Sequence, residues 1–226
     1  MSDLSIRLAV LDMAGTTVTD DGAVLDAFAA AARAVGLPST GPEHDRNQQY
    51  IIDTMGQSKI VVFRALLDDD DLAEQANTAF EHAYDERIAA GAVKPIEGAR
   101  AAIDALRAAG IIVALSTGFS SRTQGLLIDA LGWGGSVDLI VAPSDTLRGR
   151  PYPDMILSAL ITTRIDDVRE VAVLGDTSND ILSGVRAGAG IVAGTLTGAH
   201  DETALRAAGA TDIITSVADL PDLITR

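Results

Sequence analysis

Three segments of this chain carry residue types suited to chemistry at a phosphorus centre. Asp12 ends an apolar run and precedes a Gly15-Thr16-Thr17 turn. An aspartate placed there can attack phosphorus while the backbone amides of the turn face the phosphoryl oxygens. Ser116-Thr117-Gly118 offers a hydroxyl and a glycine amide after a second run, and both hydroxyls fit the spacing. Gly149-Arg150-Pro151 holds an arginine in stiff backbone, which suits a positioned cation.

A fourth segment places two carboxylates, Asp176 and Asp180, four positions apart after a further apolar run. That spacing lets one carboxylate bind a hard cation while the other, one helical turn later, orients the site. Each of the four segments is common by itself at junctions of strands and loops. Their order along the chain, always at the end of an apolar run, is the informative feature.

Composition excludes several other kinds of site. The 226 residues include 17 Lys+Arg and 32 Asp+Glu, for a net charge of −15. This balance argues against nucleic acid or an anionic membrane as partners, because both need clustered cations. The absence of cysteine excludes disulfides, thiolate zinc sites and cysteine nucleophiles. With 47% hydrophobic residues, the chain has ample apolar content for a folded core.

Short apolar runs alternate with alanine-rich amphipathic stretches and predict an α/β fold, a doubly wound parallel sheet of Rossmann-like type. The predicted strands are Ile6–Leu11, Ile111–Leu115, Val137–Val141, Val171–Leu174 and Gly190–Ala193. The predicted helices between them are Ala99–Ala109, Arg122–Leu131, Asp154–Ile161 and Ile181–Ala187. Ligands of such sheets bind at the carboxyl ends of the strands, where the four polar segments fall.

One region departs from this alternation. Between about residues 22 and 93, four helical patterns follow one another without a clear strand, at Ala23–Val35, His44–Met55, Ser58–Leu67 and Leu72–Ala90. The pattern predicts an inserted α-helical cap domain over residues 20–94, with the core formed by residues 1–19 and 95–226. We expect hinges near Val18–Asp21 and Gly91–Pro95.

In order and at strand ends, the four segments resemble the motifs of the haloacid dehalogenase superfamily over essentially the whole chain. The resemblance implies that Asp12 is a nucleophile and Mg²⁺ ligand and that Arg150 is a catalytic cation. It further implies Mg²⁺ ligands at Asp176, Asp180 and the Ala14 backbone carbonyl. Phosphoryl binding is implied for Gly15, Thr16, Gly118 and either Ser116 or Thr117.

Ala14 points to one branch of that superfamily. Phosphatases of the superfamily carry a second aspartate at this position, which protonates the leaving alkoxide, and alanine cannot do so. A leaving group that departs as an enamine needs no acid there. Asp12-Met13-Ala14-Gly15-Thr16-Thr17-Val18 resembles the phosphonatase branch, which cleaves a carbon–phosphorus bond through a lysine Schiff base.

Met55-Gly56-Gln57-Ser58-Lys59-Ile60, followed by Arg64-Ala65-Leu66, resembles the phosphonatase segment that carries this lysine. Lys59 is one of only two lysines, the other being Lys94. The resemblance implies that Lys59 is catalytic and that Met55 lines its pocket. A Schiff-base amine reacts in its neutral form, which burial or a neighbouring cation favours.

Two positions depart from the phosphonatase pattern. Val62 stands where a histidine usually relays protons, and Phe119 stands where an aromatic residue with a hydroxyl usually follows the second motif. These losses indicate a different proton route or a different carbonyl phosphonate.

The sequence thus predicts a Mg²⁺-dependent hydrolase that cleaves phosphonoacetaldehyde or a close carbonyl phosphonate. The alternatives are a capped phosphatase acting on a small phosphomonoester without a Schiff base and a ligand-binding relative without catalysis. Haloacid dehalogenation is disfavoured, because Arg150, Asp176 and Asp180 suit phosphate and metal.

The sequence also gives expectations for the ligand, the cellular location and the oligomeric state. We expect a small anionic phosphonate or phosphate as ligand. The start at Met1-Ser2-Asp3 lacks a secretory leader pattern, and no segment approaches a membrane span, so we expect a cytoplasmic protein. The resemblance implies a homodimer through the cap, although the apolar helix faces could equally be buried within the chain.

Overall fold

The computed structural model describes residues 5–19 and 21–225, so Met1–Asp3 and the predicted hinge residue Asp20 lie outside the described residues. In these ranges the core is one six-stranded, entirely parallel sheet with the order β3-β2-β1-β4-β5-β6. The strands are β1 (Leu8–Asp12), β2 (Ile112–Ser116), β3 (Leu139–Val141), β4 (Val171–Gly175), β5 (Ile191–Thr195) and β6 (Asp212–Ile214). The predicted doubly wound, Rossmann-like α/β core with a helical insert is confirmed.

Strand β1 lies at the centre of this sheet because its residues can be buried on both faces. Leu8 and Val10 pack into the cluster that contains Met155, while Ala9 and Leu11 pack into the cluster on the other face. All five residues of β1 are buried. Such continuous apolar strands are typical of parallel sheets covered by helices on both sides.

The insert forms four helices: α1 (Ala23–Ala34), α2 (Pro42–Asp53), α3 (Lys59–Leu66) and α4 (Asp70–Ala89). Helix α1 packs mainly against α4, and the Phe28 and Phe80 rings meet between them with centroids 4.8 Å apart. Helix α4 begins where the Asp69 side chain accepts a hydrogen bond from the Leu72 amide at 2.9 Å. The four predicted helices therefore form, with ends shifted by one or two residues.

The two segments that join insert and core run side by side. The Thr19 amide donates to the Lys94 carbonyl at 2.7 Å, and the Ile96 amide donates to the Thr17 carbonyl at 3.0 Å. Val18 and Pro95 form an isolated antiparallel bridge between them. These are the segments in which the sequence predicts hinges, and the division into two domains remains a prediction.

In the described part of the chain, six α-helices follow the insert: α5 (Ala99–Ala108), α6 (Ser121–Ala130), α7 (Asp154–Thr163), α8 (Ser178–Ala187), α9 (Glu202–Ala207) and α10 (Leu220–Ile224). The sequence pattern did not predict β6, α9 or α10. These elements span three to six residues, which is too short for hydrophobic periodicity to separate helix from strand. No helix of the described residues has the length and apolar content needed to cross a membrane.

Candidate active site

Three aspartates converge at the carboxyl end of the central strands. Asp12 is the last residue of β1, and Asp176 follows the last residue of the neighbouring β4. Asp180 lies in the first turn of α8, which follows directly. One oxygen from each carboxylate lies within 4.8 Å of the others, and all three residues are buried. The strand order places this cluster at the switch point of the sheet, between β1 and β4.

The Arg150 guanidinium contacts two of these three aspartates. Its Nη1 lies 2.6 Å from Asp12 Oδ1 and its Nε lies 2.7 Å from Asp180 Oδ1, while its Nη2 donates to Ser116 Oγ at 2.7 Å. The guanidinium side chain is only 3% exposed. A planar fork of donors is therefore fixed between two carboxylates and one hydroxyl.

Burial makes the charges of this cluster costly. It raises the pKa of Asp12 to about 6, where the Asp180 carboxylate acts in the same direction and Arg150 opposes them. Burial, together with Asp12 and Asp180, also raises the pKa of Asp176 well above its ordinary value. One guanidinium cannot balance three carboxylates. A donor set of buried carboxylate oxygens fits a hard divalent cation such as Mg²⁺.

Backbone and hydroxyl donors hold the two later aspartates. Thr16 Oγ1 donates to Asp176 Oδ1 at 3.0 Å, and the Ala199 amide donates to Asp176 Oδ2 at 2.8 Å. Thr177 caps the N-terminus of α8 and donates to Asp180 Oδ2 from its hydroxyl at 2.5 Å and from its amide at 3.1 Å. The carboxylates are thus oriented before any cation is bound.

Sequence reasoning missed the loop after β5, which adds to this site. Thr197, Gly198 and Ala199 line the same cavity as Asp12. A side chain at Gly198 would collide with the Asp176 carboxylate. The signal available in the sequence was a glycine shortly after a predicted strand, which commonly marks a close backbone approach.

The turn after Asp12 pairs its own backbone amides with carbonyl oxygens. The amides of Gly15, Thr16 and Thr17 donate to carbonyl oxygens within the turn, to Val18 in the first case and to Met13 in the others. Each of these amides thus already has a carbonyl partner in the turn, and phosphoryl binding by Gly15 and Thr16 remains a prediction. Gly15 adopts φ +85°, and a Cβ there would lie 2.5 Å from Asp176 Oδ2.

The structure separates the two hydroxyls that the sequence left open. Ser116 Oγ accepts from Arg150, as described above, and Thr117 is a residue of the cavity wall. The Thr117 hydroxyl also accepts from the Phe119 amide at 3.2 Å. The Ser116 hydroxyl is therefore engaged by the guanidinium, whereas Thr117 lines the cavity, and a phosphoryl-binding role for either residue remains a prediction.

The turn between α2 and α3 lies directly on two loops of the core. A Cβ on Gly118 would lie 2.5 Å from the Gln57 carbonyl oxygen, and a side chain on Gly56 would collide with Thr177. Asn179 Nδ2 donates to the Met55 carbonyl at 2.7 Å, while its Oδ1 accepts from Gln57 Nε2 at 3.3 Å. This insert segment is thereby fixed against the acidic cluster.

Lys59 is the first residue of α3 and is 7% exposed. Its Nζ lies 5.6, 5.8 and 5.2 Å from the ring centroids of Phe28, Phe80 and Phe119, respectively. Its Nζ also donates to the Gln57 carbonyl at 3.5 Å. The roles of Phe28 and Phe80 were not visible in the sequence, because contacts between distant helices decide them.

A cavity of about 420 Å³ joins these groups. Of the residues predicted for the site, it is lined by Asp12, Ala14, Gly15, Met55, Lys59, Thr117, Gly118, Arg150 and Asp176. Thr16, Ser116 and Asp180 contact wall residues through the bonds given above. The fold thus brings together the predicted residues of the core and of the insert.

A parallel sheet with an acidic, cation-competent cluster at its switch point, covered by a helical insert, defines a class of capped hydrolases centred on aspartate. The sequence model of the haloacid dehalogenase-like hydrolases matches residues 6–188. The chain belongs to this family.

Two similar proteins indicate which branch of the family this chain resembles. A "Phosphonoacetaldehyde hydrolase" of Bacillus cereus (strain B4264) is 28% identical over 203 residues, covering 82% of this chain and 74% of the relative. A "Phosphonoacetaldehyde hydrolase-like protein" of Syntrophobacter fumaroxidans is 36% identical over 104 residues, which cover 46% of this chain and 38% of that protein. The chain therefore resembles the phosphonatase-like branch.

A solved structure of a similar name also resembles this chain. The crystal structure of a phosphonoacetaldehyde hydrolase-like protein from Oleispira antarctica superposes with a TM-score of 0.81 at 25% identity. The match covers 97% of this chain and 91% of that one. The insert and the core are therefore both shared with that structure.

Proposed function

We propose that the protein hydrolyses the carbon–phosphorus bond of phosphonoacetaldehyde or a close carbonyl phosphonate with the help of Mg²⁺. One observation carries the proposal: Lys59 from the insert and Asp12 from the core line the same cavity. Ala14, on the same wall, offers no acid for an alkoxide leaving group. The names of the similar proteins support this substrate class.

Mg²⁺ would be held by Asp12, Asp176, Asp180 and the Ala14 carbonyl. When bound, it would supply positive charge that offsets the carboxylates and lets a dianionic ligand approach. Arg150 adds a second cation on the side of Ser116. An acidic protein can hold an anion in this way because the local field, and not the net charge, decides binding.

The proposed reaction begins at Lys59. Its neutral Nζ adds to the aldehyde carbon, and loss of water with uptake of one proton produces an iminium; that proton is returned when the lysine is released. Asp12 then attacks phosphorus in line, and the electron pair of the C–P bond moves into the iminium to give an enamine. Protonation of the enamine and addition of water release acetaldehyde, while a second water hydrolyses the aspartyl phosphate. The balance is one phosphonoacetaldehyde and one water converted to acetaldehyde and phosphate.

The remaining residues hold the reacting groups. Arg150, Thr117 and Gly118 would bind phosphoryl oxygens, and Met55 would line the space beside the lysine. Thr16 and Ser116 act indirectly, since their hydroxyls bond to Asp176 and Arg150. Enclosure between insert and core excludes bulk water, which would otherwise hydrolyse the imine.

Borohydride trapping tests this proposal. The protein is incubated with phosphonoacetaldehyde and Mg²⁺, reduced, digested and analysed by peptide mass spectrometry. We expect a reduced adduct on Lys59 and none on Lys94, which is exposed and serves as the internal control. Unmodified Lys59 at full turnover would reject the Schiff-base route.

A phosphatase acting on a small phosphomonoester is the second candidate. It is favoured by Val62 and Phe119, which replace the polar residues expected near the lysine. Efficient release of phosphate from monoesters, with no lysine adduct and no C–P cleavage, would establish it. Asp12 would remain the nucleophile in that reaction.

A further inference from the structure

All four phenylalanines of this chain belong to one aromatic cluster beside Lys59. Phe28 and Phe63 lie 5.3 Å apart by ring centroids, Phe63 and Phe80 lie 6.1 Å apart, and Phe80 and Phe119 lie 6.2 Å apart. Helices α1, α3 and α4 supply three of these rings, and the core loop after β2 supplies Phe119. Three of the four rings lie within 6 Å of the lysine nitrogen.

We infer that Phe28, Phe80 and Phe119 form an aromatic box that stabilises positive charge on Lys59 Nζ and so keeps the catalytic imine protonated. The inference rests on the proposed function, because it concerns the iminium of that reaction. It assigns a positioning and electrostatic role to three residues that are neither acids nor bases.

The need for such a box follows from the chemistry. A neutral imine is a poor electron sink, so the C–P bond breaks only while the imine nitrogen carries its proton. Burial of Lys59 opposes that positive charge, since a charge removed from water loses solvation. The face of an aromatic ring carries partial negative charge and attracts a cation within about 6 Å. Three rings therefore offset only part of the cost of burial, which still favours the neutral amine that adds to the aldehyde.

This chain has a specific reason to rely on ring faces. Its two departures from the phosphonatase pattern, Val62 and Phe119, put carbon where polar side chains are usual. Phe119 is one of the three rings around Nζ, so this position keeps its ring face while it lacks the hydroxyl. Tyr84 packs on Phe119 with centroids 4.4 Å apart and holds that ring in place.

Progressive fluorination of single rings tests the inference. Fluorine withdraws electron density from the ring face with little change in ring size, so 4-fluoro-, 3,5-difluoro- and 3,4,5-trifluorophenylalanine are incorporated at Phe119. We expect kcat on phosphonoacetaldehyde to fall stepwise, by roughly 2- to 30-fold at the trifluoro step. KM should change less than about twofold, because the phosphoryl contacts are untouched. Phe28 and Phe80 are treated in the same way.

Phe63 is the matched control. It is fully buried in the same cluster and packs on Phe28 and Phe80, but it is not one of the three rings described around Nζ. Fluorination there should leave kcat within about twofold. The charged and titratable residues that share cavity walls with Lys59 are identical in every variant: Asp12, Asp21, Arg64, Glu74, Glu81, Asp145, Arg148, Arg150, Tyr152 and Asp176.

The outcomes are distinct. A graded loss at Phe119, Phe28 and Phe80 without a loss at Phe63 supports the box. Equal losses at all four positions, or no loss at Phe119, overturn it even if borohydride traps Lys59. Absence of any Lys59 adduct in the unmodified protein overturns the proposed function, and the box with it, because no iminium then forms.

Discussion

The side chain of Asn179 links the acidic cluster to the helical insert through its 2.7 Å hydrogen bond to the Met55 carbonyl oxygen. Asn179 lies between Asp176 and Asp180 in sequence, and Met55 lies four residues before Lys59. A residue of the proposed metal-binding segment therefore bonds to the segment that precedes the lysine. We predict that this contact helps to set the relative placement of Asp12 and Lys59.

Asn179→Ala should lower kcat for C–P hydrolysis roughly 10- to 100-fold, because a small displacement of a reacting group costs that much. Loss of a buried hydrogen bond should also lower the free energy of unfolding by about 1–2 kcal/mol. Steady-state kinetics and urea unfolding measure the two effects. Gln57→Leu is the control, since it removes only the 3.3 Å bond to Asn179. A rate within twofold for Asn179→Ala would contradict the positioning role.

Lys59→Arg should reduce C–P hydrolysis to background while it preserves the positive charge, because a guanidinium does not form a Schiff base under these conditions. Any hydrolysis of a phosphomonoester through Asp12 should be largely retained. The measurement is phosphate release from both substrates. Lys94→Arg, at the exposed second lysine, should be fully active. A near-normal rate of C–P cleavage by Lys59→Arg would refute its role.

The effect of Mg²⁺ on stability should depend on pH. The pKa of Asp12 is raised from 3.8 to about 6, so the stability associated with its protonated form is present below about pH 4 and is lost as pH rises through 6. At neutral pH the metal-free protein therefore carries negative charge in this cluster that Arg150 alone does not balance. Protons do not compete with Mg²⁺ for the Asp12 carboxylate at that pH. We expect Mg²⁺ to raise Tm more at pH 7.5 than at pH 5.

Asp12→Asn provides the control for that experiment. It should abolish turnover, since asparagine is no nucleophile, yet it should stabilise the metal-free protein at pH 7.5 by on the order of 1 kcal/mol. Thermal unfolding with EDTA and with Mg²⁺ tests both parts. Equal Mg²⁺ shifts at pH 5 and pH 7.5, or a Tm of metal-free Asp12→Asn below that of the unmodified protein, would contradict the argument.

Gly118→Ala should separate the insert from the core. Its Cβ would lie 2.5 Å from the Gln57 carbonyl oxygen and 2.8 Å from that of Gly56, and backbone atoms cannot yield cheaply. We expect a loss of at least about 10-fold in kcat/KM. Gly125→Ala in α6, where nothing lies within 4 Å, should be active and more stable by about 0.5–1 kcal/mol. Comparable activity of the two variants would show that the close approach is unimportant.

Much of the fold was predictable because its signals are local. The short apolar run before Asp12, followed by a glycine turn, is typical of a buried strand, and the four amphipathic stretches of the insert were long enough for their period to be read. Strand β6 and helices α9 and α10 are too short to show such a period. The order of polar segments at strand ends was sufficient to indicate which residues share an edge of the sheet.

Contacts between distant segments were beyond the sequence. That Arg150 engages Ser116 while Thr117 lines the cavity depends on where Arg150 points, and the internal partners of the Gly15 and Thr16 amides depend on how tightly one turn closes. The loop at Thr197–Ala199 joined the site only because β5 lies beside β4.

The sequence by itself determined the chemical inventory: an aspartate without its partner acid at Ala14, three further charged residues in a characteristic order and one lysine, Lys59, within the predicted helices of the insert. Only the tertiary structure decided that Lys59 faces three phenylalanine rings and shares a cavity with Asp12. The physical reason is that residue type and spacing act along the chain, whereas burial, charge balance and ring contacts arise between elements that packing brings together.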